Sequence, residues 1–296
     1  MPTKNKKNIL RLGIPARALR FQTIDLLELA GFTVNVSASG HKITIDDPEI
    51  ECFFSKTQEL AEWVENGMLD VAIVQKARLI EQGIKAKEIS EFKYGNGIWD
   101  LTRVVVAVPC DSKFKTLKDL QGQEVFSRLP NLTKKFFEEQ RVKVKVTRVT
   151  YPSETKAEMF DKPTVDFTNT GDTLREHNLR VLTVIMETSP RMIMNNEAFQ
   201  DKWKRSKAES LAMLLRGARL AKDMVGLMLH VSNGLMVDVL KILPAMKKPT
   251  VTQLRGENVF DVLTVIDKKQ AREVVPRLKK IGATDIVEFP LEKVII

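Results

Sequence analysis

The sequence predicts an α/β protein: a two-lobed body followed by a smaller domain with the element order βαββαβ. Three observations predict it. Val71-Ala72-Ile73-Val74 and Val104-Val105-Val106-Ala107-Val108 are the continuous, β-branched runs of strands covered on both faces. Such runs alternate with stretches of helical apolar spacing, and the alternation occurs twice, before and after residue 103. Residues 222–296 then follow their own rhythm, the ferredoxin-like plan.

In the first lobe, residues 9–14 form a short apolar strand. Residues 23–30 form a helix, with Ile24, Leu26, Leu27 and Leu29 at apolar positions and Gly31 as its stop. Residues 32–36 and 42–45 alternate as strands around the Ser39-Gly40 turn. A strand over 51–54, a helix over 58–66 stopped by Gly67 and a strand over 71–74 complete a βαβ unit, whose ligands belong at the carboxyl ends of the strands. The second lobe opens with a strand over 101–108, ended by Pro109. A short helix over 117–120, a strand over 124–126, a helix over 131–140 and strands over 142–149 and 165–167 follow. Strands over 180–189 and 191–194 return the chain to the first lobe. The lobes are therefore expected at 1–103 with 185–221 and at 104–184, with a cleft between them. A helix over 211–224 leads into the last domain, 222–296. Its elements are a strand over 225–231, a helix over 234–242, strands over 250–254 and 259–266, a helix over 269–281 and a strand over 285–289. A small domain of this kind commonly binds a regulator or mediates assembly.

At 296 residues, with 43% hydrophobic and 29% charged side chains, the composition is that of a soluble globular protein. No run approaches the ~18 apolar residues of a membrane span. The start Met1-Pro2-Thr3-Lys4-Asn5-Lys6-Lys7 has no apolar signal core, so a cytoplasmic protein with no membrane partner is expected. The net charge of +9 fits a polyanionic partner, but its cations are dispersed and only Lys4, Lys6 and Lys7 cluster. With 6% aromatics, phosphorylated small molecules are expected and nucleic acid is not. Cys52 and Cys110 lack metal or redox spacing and are expected to be reduced core residues. His41, His177 and His230 stand apart from any Ser, Cys or Asp at catalytic spacing, so no base or metal role is assigned to them.

The segment Val165-Asp166-Phe167-Thr168-Asn169-Thr170-Gly171-Asp172-Thr173-Leu174 has the pattern of a buried strand, a hydroxyl-rich turn and a helix start. Thr168, Thr170 and Thr173 offer hydroxyl donors, Gly171 admits close backbone approach, and a helix opening at 172–173 presents unpaired N–H groups. The turn can hold a phosphate. Asp172 supports a different reading, since its carboxylate would repel a phosphate and serve well as a helix N-cap.

Several segments together resemble the long form of ATP phosphoribosyltransferase in order and spacing, over essentially the whole chain. They are Leu10-Arg11-Leu12-Gly13-Ile14-Pro15, the run from Val64-Glu65-Asn66-Gly67 through Asp70-Val71-Ala72-Ile73, Thr102-Arg103-Val104-Val105, and Pro130-Asn131-Leu132-Thr133-Lys134-Lys135-Phe136-Phe137. Val165-Asp166-Phe167 with Thr170-Gly171-Asp172-Thr173-Leu174 and Asn178-Leu179, and Gly282-Ala283 with Pro290-Leu291-Glu292-Lys293, continue the series. Leu243-Pro244 and Lys248-Pro249-Thr250 resemble that family's regulatory domain. The resemblance implies a periplasmic-binding-protein-like catalytic body and a regulatory ferredoxin-like domain. It implies a glycosyltransferase moving phosphoribosyl from phosphoribosyl pyrophosphate to N1 of ATP, the first step of histidine biosynthesis. It further implies Mg²⁺ carried by the substrate pyrophosphate, histidine as feedback inhibitor at the C-terminal domain, and a homo-oligomer, dimer or hexamer.

By the same resemblance, Asp166 holds the ribose, and Thr168, Asn169, Thr170, Gly171, Asp172 and Thr173 form the 5′-phosphate loop. Arg17, Lys56, Arg103 and Ser127 fall at nucleotide- or pyrophosphate-binding positions, while Asn131 and Leu132 help shape the cleft. No residue is assigned a catalytic role.

The chain also departs from the family. The Lys-Gly-Arg after the first strand falls on Ala16, Arg17 and Ala18, with Arg17 and Arg20 as candidates to substitute. Phe54 stands where an Arg is usual, Lys56 replaces a second Arg, and Gln75 replaces a small residue. The Gly-Ser-Val-Glu segment has become Pro152-Ser153-Glu154-Thr155, shortened, with Glu154 expected at the surface. Lys162 replaces the first acid of the phosphoribosyl motif. The alternative these changes raise is a non-catalytic or re-purposed homologue that binds a small molecule or regulates a partner.

Overall fold

The computed structural model describes residues 8–16, 19–38, 42–92, 102–150, 152–244, 248–256 and 258–296. The first lobe runs β1 (Leu10–Pro15), α1 (Arg20–Leu29), β2 (Val34–Val36), β3 (Ile43–Ile45), β4 (Ile50–Ser55), α2 (Thr57–Glu65), β5 (Val71–Gln75), α3 (Lys76–Gln82) and β6 (Lys87–Glu91). The second runs β7 (Thr102–Pro109), β8 (Glu124–Ser127), α4 (Pro130–Glu139), β9 (Lys145–Arg148), α5 (Ser153–Met159), β10 (Thr164–Thr168), α6 (Asp172–Glu176) and β11 (Leu179–Thr188). A 3₁₀ turn over Leu117–Leu120 lies between β7 and β8. β12 (Pro190–Met194), α7 (Asn196–Gln200) and α8 (Lys202–Ala221) follow.

Two five-stranded sheets result, in the orders β4-β1-β5-β12-β6 and β11-β7-β10-β8-β9. β12 returns to the first sheet, antiparallel to both β5 and β6. The expected strand runs are buried on both faces, with Val71–Val74 and Val104–Val108 fully inaccessible. Gly13 permits close packing against β1. A Cβ there would meet the side chains of Leu69, Leu60 and Ala72 at 2.7–2.9 Å, so no larger residue fits without displacing them.

One compact unit reaches to Glu28 and continues over Phe32–Ala212; the other holds Leu29–Gly31 and Met213–Ile296. The second unit contains β13 (Met224–Ser232), α9 (Met236–Ile242), β14 (Thr250–Gln253), β15 (Val259–Asp267), α10 (Lys268–Lys280) and β16 (Thr284–Pro290). Its antiparallel sheet has the order β14-β15-β13-β16, as the βαββαβ plan requires. Leu227, Leu229, Val262, Val274 and Leu278 build a core between this sheet and its helices. No helix among the described residues is long and apolar enough to cross a membrane.

Some expectations are corrected. α3, β6, α5 and α7 have no counterpart in the periodicity, because each is only five to seven residues long, too short to display a repeat. α8 begins at Lys202, nine residues before the expected start at 211, since its opening turns carry Lys202, Lys204, Arg205, Lys207 and Glu209 and little apolar signal. Cys110 is exposed beyond the end of β7, outside the core, and Cys52 is half-buried. Burial, assisted by Glu51 and Asp47, pushes the Cys52 thiol up to about 12, so it stays protonated.

Candidate active site

β10 lies in the middle of the second sheet, antiparallel to β7 and parallel to β8. At its end the chain turns through Asn169 and Thr170, and Gly171 adopts φ +86°, the left-handed region in which glycine pays no steric penalty. α6 starts directly after. Gly171, not Asp172, is therefore the N-cap residue, and Asp172 becomes the first helical residue. Its carboxylate accepts from the Thr170 hydroxyl and from the Arg175 guanidinium three residues on.

This turn and Glu154 line a cavity of about 230 Å³ bounded by residues 167–174. Thr168, Asn169, Thr170, Gly171, Asp172 and Thr173 are thus brought together around one space. Arg103, opposite Thr168 in the β7–β10 register, donates from Nη2 to the Asn169 carbonyl at 3.0 Å and braces the turn.

Asp166 sits just before the turn with its side chain fully buried. Oδ1 accepts from Arg128 Nη1 at 2.9 Å and from the Phe167 N–H at 2.7 Å, while Oδ2 accepts from the Ser153 hydroxyl. Ser153 Oγ also lies 3.3 Å from Glu154 Oε2, so one hydroxyl proton stands between two carboxylates. Burial pushes the Asp166 carboxyl above its ordinary range. Arg128 opposes that shift and Glu154 adds to it.

Glu154 corrects a second expectation: it is only 5% exposed. Pro152 holds the extended N-cap conformation of α5, and the first turn of that helix, Ser153 and Glu154, packs towards β10. Ser127 is also buried. Its hydroxyl pairs with Thr133 at 2.7 Å and accepts the Leu129 N–H at 2.9 Å, which fixes the turn into α4 and leaves Ser127 off the cavity.

The first-lobe candidates among the described residues do not line the cavity. Arg17 lies outside the described residues. Lys56, the residue before α2, is well exposed, with Nζ 3.9 Å from Glu59 Oε1. The Arg20 guanidinium stacks 4.6 Å from the centre of the Phe54 ring, the residue standing at an arginine position, and its Nε has no hydrogen-bond partner. Gln75 is buried with its amide oxygen unpartnered. Sequence reasoning missed Arg128 as the partner of Asp166. The one available signal was a cation directly after a strand parallel to β10.

A family model described as ATP phosphoribosyltransferase matches residues 56–217, and one for the HisG C-terminal domain matches residues 221–293. The chain belongs to the ATP phosphoribosyltransferase family. The ATP phosphoribosyltransferase of Koribacter versatilis is 38% identical over 287 residues, 97% of this chain and 99% of that one. Its counterpart from Thermodesulfovibrio yellowstonii is 36% identical over 290 residues, 98% of this chain and 99% of that one. The solved ATP phosphoribosyl transferase (HisG:HisZ) complex from Thermotoga maritima shares the fold, with a TM-score of 0.57 and 21% identity over 70% of this chain and 98% of that one. The chain is a phosphoribosyltransferase of the first step of histidine biosynthesis, in the long form with the C-terminal domain. Nothing in these relatives favours the non-catalytic alternative.

In that reaction N1 of ATP bonds to C1 of the ribose as the bond from C1 to pyrophosphate breaks. Positive charge develops at C1 and negative charge on the departing oxygens. A fixed carboxylate near the ribose and cations near the pyrophosphate therefore act where charge changes most.

Proposed function

We propose that Asp166 holds the ribose hydroxyls of phosphoribosyl pyrophosphate and that the turn from Thr168 to Thr173 receives its 5′-phosphate. The observation that carries this reading is the cavity over the turn, with the buried Asp166 directly preceding it. The hydroxyls of Thr168 and Thr173 and the backbone at Gly171 are the donors, while the Thr170 hydroxyl is turned to Asp172. Arg103 supports the turn from β7, and Ser127 acts by shaping the approach to α4. Lys56 and Arg17 are the remaining cations at the family's nucleotide and pyrophosphate positions.

Among the described residues no group of three or more His, Cys, Asp or Glu side chains is arranged to hold a metal. Asp166 and Glu154 face each other across a shared hydroxyl, which suits a Mg²⁺ that arrives on the substrate's own pyrophosphate oxygens and keeps its waters. The ferredoxin-like domain, residues 222–296, is the regulatory domain, with histidine as its feedback inhibitor, and the enzyme works in the cytoplasm as a homo-oligomer, a dimer or hexamer. Leu263, Met228 and Val287 align across β15, β13 and β16, and the exposed Leu263 and Val287 offer apolar surface for assembly.

Calorimetric titration with phosphoribosyl pyrophosphate and Mg²⁺ tests the site, and release of pyrophosphate only when ATP is added tests the reaction. Lack of binding at ~1 mM donor, the weak end of ordinary substrate affinity, would sink the assignment of the turn.

A further inference from the structure

The donor's pyrophosphate needs cations; by the family resemblance Ala16, Ala18 and Phe54 stand at first-lobe positions where cations are expected, leaving Arg17 and Lys56 there. Arg20 packs over the Phe54 ring in the first lobe. A different pair of cations, one from each lobe, packs against the ring of Phe167. Arg78, on α3, lies 5.1 Å from the centre of the Phe167 ring, and Arg128, directly after β8, lies 6.0 Å from the same centre. Phe167 is itself a wall of the cavity. Arg78 Nη1 donates to the Arg128 carbonyl at 3.1 Å, so the two residues are fastened together across the lobes.

Arg78 makes no ion pair with a carboxylate among the described residues, although Asp166 and Glu81 act on it from further away. Burial, with Arg128 and more distantly Arg148 adding like charge, lowers Arg78 to about 10. A half-buried guanidinium held beside another without its own carboxylate is under-compensated, and an anion relieves that cost. Planar guanidinium forks suit phosphate oxygens, and packing on an aromatic ring fixes the fork in advance.

We propose that Arg78 and Arg128 together seat the diphosphate group at C1 of the phosphoribosyl donor. This rests on the reading of Asp166 as the ribose-holding residue. Because Arg128 is bonded to Asp166, the diphosphate nearest to the pair is the one attached to the ribose ring, not the β- and γ-phosphates of ATP. The pair takes over the work of the arginines absent from the first lobe and holds the leaving group as its charge grows.

The test uses the full-length protein and four probes: inorganic pyrophosphate, phosphoribosyl pyrophosphate, ribose 5-phosphate and ATP, each titrated calorimetrically. Arg78→Met should weaken both pyrophosphate-bearing probes by ~10- to 100-fold, the loss expected for one charge-assisted, forked contact. Ribose 5-phosphate and ATP should change less than about twofold, within the scatter of a remote substitution. Arg78→Lys, which keeps charge but loses the fork, should fall between, and it remains informative if the methionine variant does not fold. Pyrophosphate binding by Arg78→Lys and Arg78→Met equal to that of the parent overturns the proposal, as does a loss confined to ATP. Asp166→Ala separates the two ideas. If it leaves ribose 5-phosphate binding intact, the reading of Asp166 fails. If it abolishes that binding while Arg78→Met leaves pyrophosphate untouched, only the arginine proposal fails.

Discussion

Asp70 and Asp166 are two buried aspartates, with side chains 2% and 0% exposed, each held by an arginine, yet their carboxyls shift in opposite directions. At Asp70, burial alone would raise the value. Three donor groups of Arg11 (its backbone N–H at 2.8 Å, Nε at 3.3 Å and Nη2 at 3.0 Å) together with Lys204 Nζ at 2.9 Å overcome burial and bring it below 3.8. At Asp166 one Arg128 nitrogen, one hydroxyl and one N–H oppose burial and a neighbouring glutamate, and burial wins. The first carboxylate is fully compensated and serves the scaffold. The second keeps a deficit, as expected of a group whose remaining partners arrive with a ligand.

The sharpest way to break this contrast is Asp166→Asn. The change keeps shape and removes charge, so kcat/KM for the donor should fall ~100-fold or more, the loss of roughly two hydrogen bonds to a charged acceptor. Steady-state kinetics at saturating ATP measures it. Activity within about threefold of the parent would make the deficit at Asp166 incidental to function.

Asp70→Asn should do the reverse, sparing turnover and costing stability. Leaving Arg11 and Lys204 around a neutral amide should cost about 3 kcal/mol, the lower end for a broken buried pair because Arg11 is partly in water. Denaturant unfolding reads it directly.

The pH dependence separates the two residues again. Asp70 has a depressed value, so its contribution is present above the ordinary 3.8 and is lost as pH falls through its lower folded value. Asp166 has a raised value, so its contribution is complete below 3.8 and is lost as pH rises through its higher folded value. Melting curves across the acid range should show a flatter acid limb for Asp70→Asn and a flatter slope just above 3.8 for Asp166→Asn. Identical profiles for the two variants would remove the distinction.

These residues also show what the sequence made legible. β5 and β7 were readable because their side chains are apolar on both faces, and the βαββαβ order was readable because its core positions repeat. Asp166 was found through the residues flanking it. Arg128 and Arg78 were not, and Glu154 was placed at the surface, because their packing comes from α5, β8 and α3 converging in space, and no local period records a polar residue packed by distant elements. The N-cap at Asp172 was misjudged for a related reason: the left-handed Gly171 satisfies the turn one residue earlier.

Asp172 gives the smallest expected effect, and it bears on the same contrast between compensated and uncompensated charge. Its carboxylate ties up the Thr170 hydroxyl and the Arg175 guanidinium, two donors that would otherwise be free for a phosphate at the turn. Both members of the Asp172–Arg175 pair are well exposed, so solvent screens the repulsion. Asp172→Thr should therefore lower KM for phosphoribosyl pyrophosphate only ~2- to 5-fold with kcat unchanged, and should weaken the dependence of KM on salt. An unchanged or higher KM would mean that the pair supports the turn more than it obstructs the ligand. The charge at Asp172 would then belong, like that at Asp70, to the scaffold.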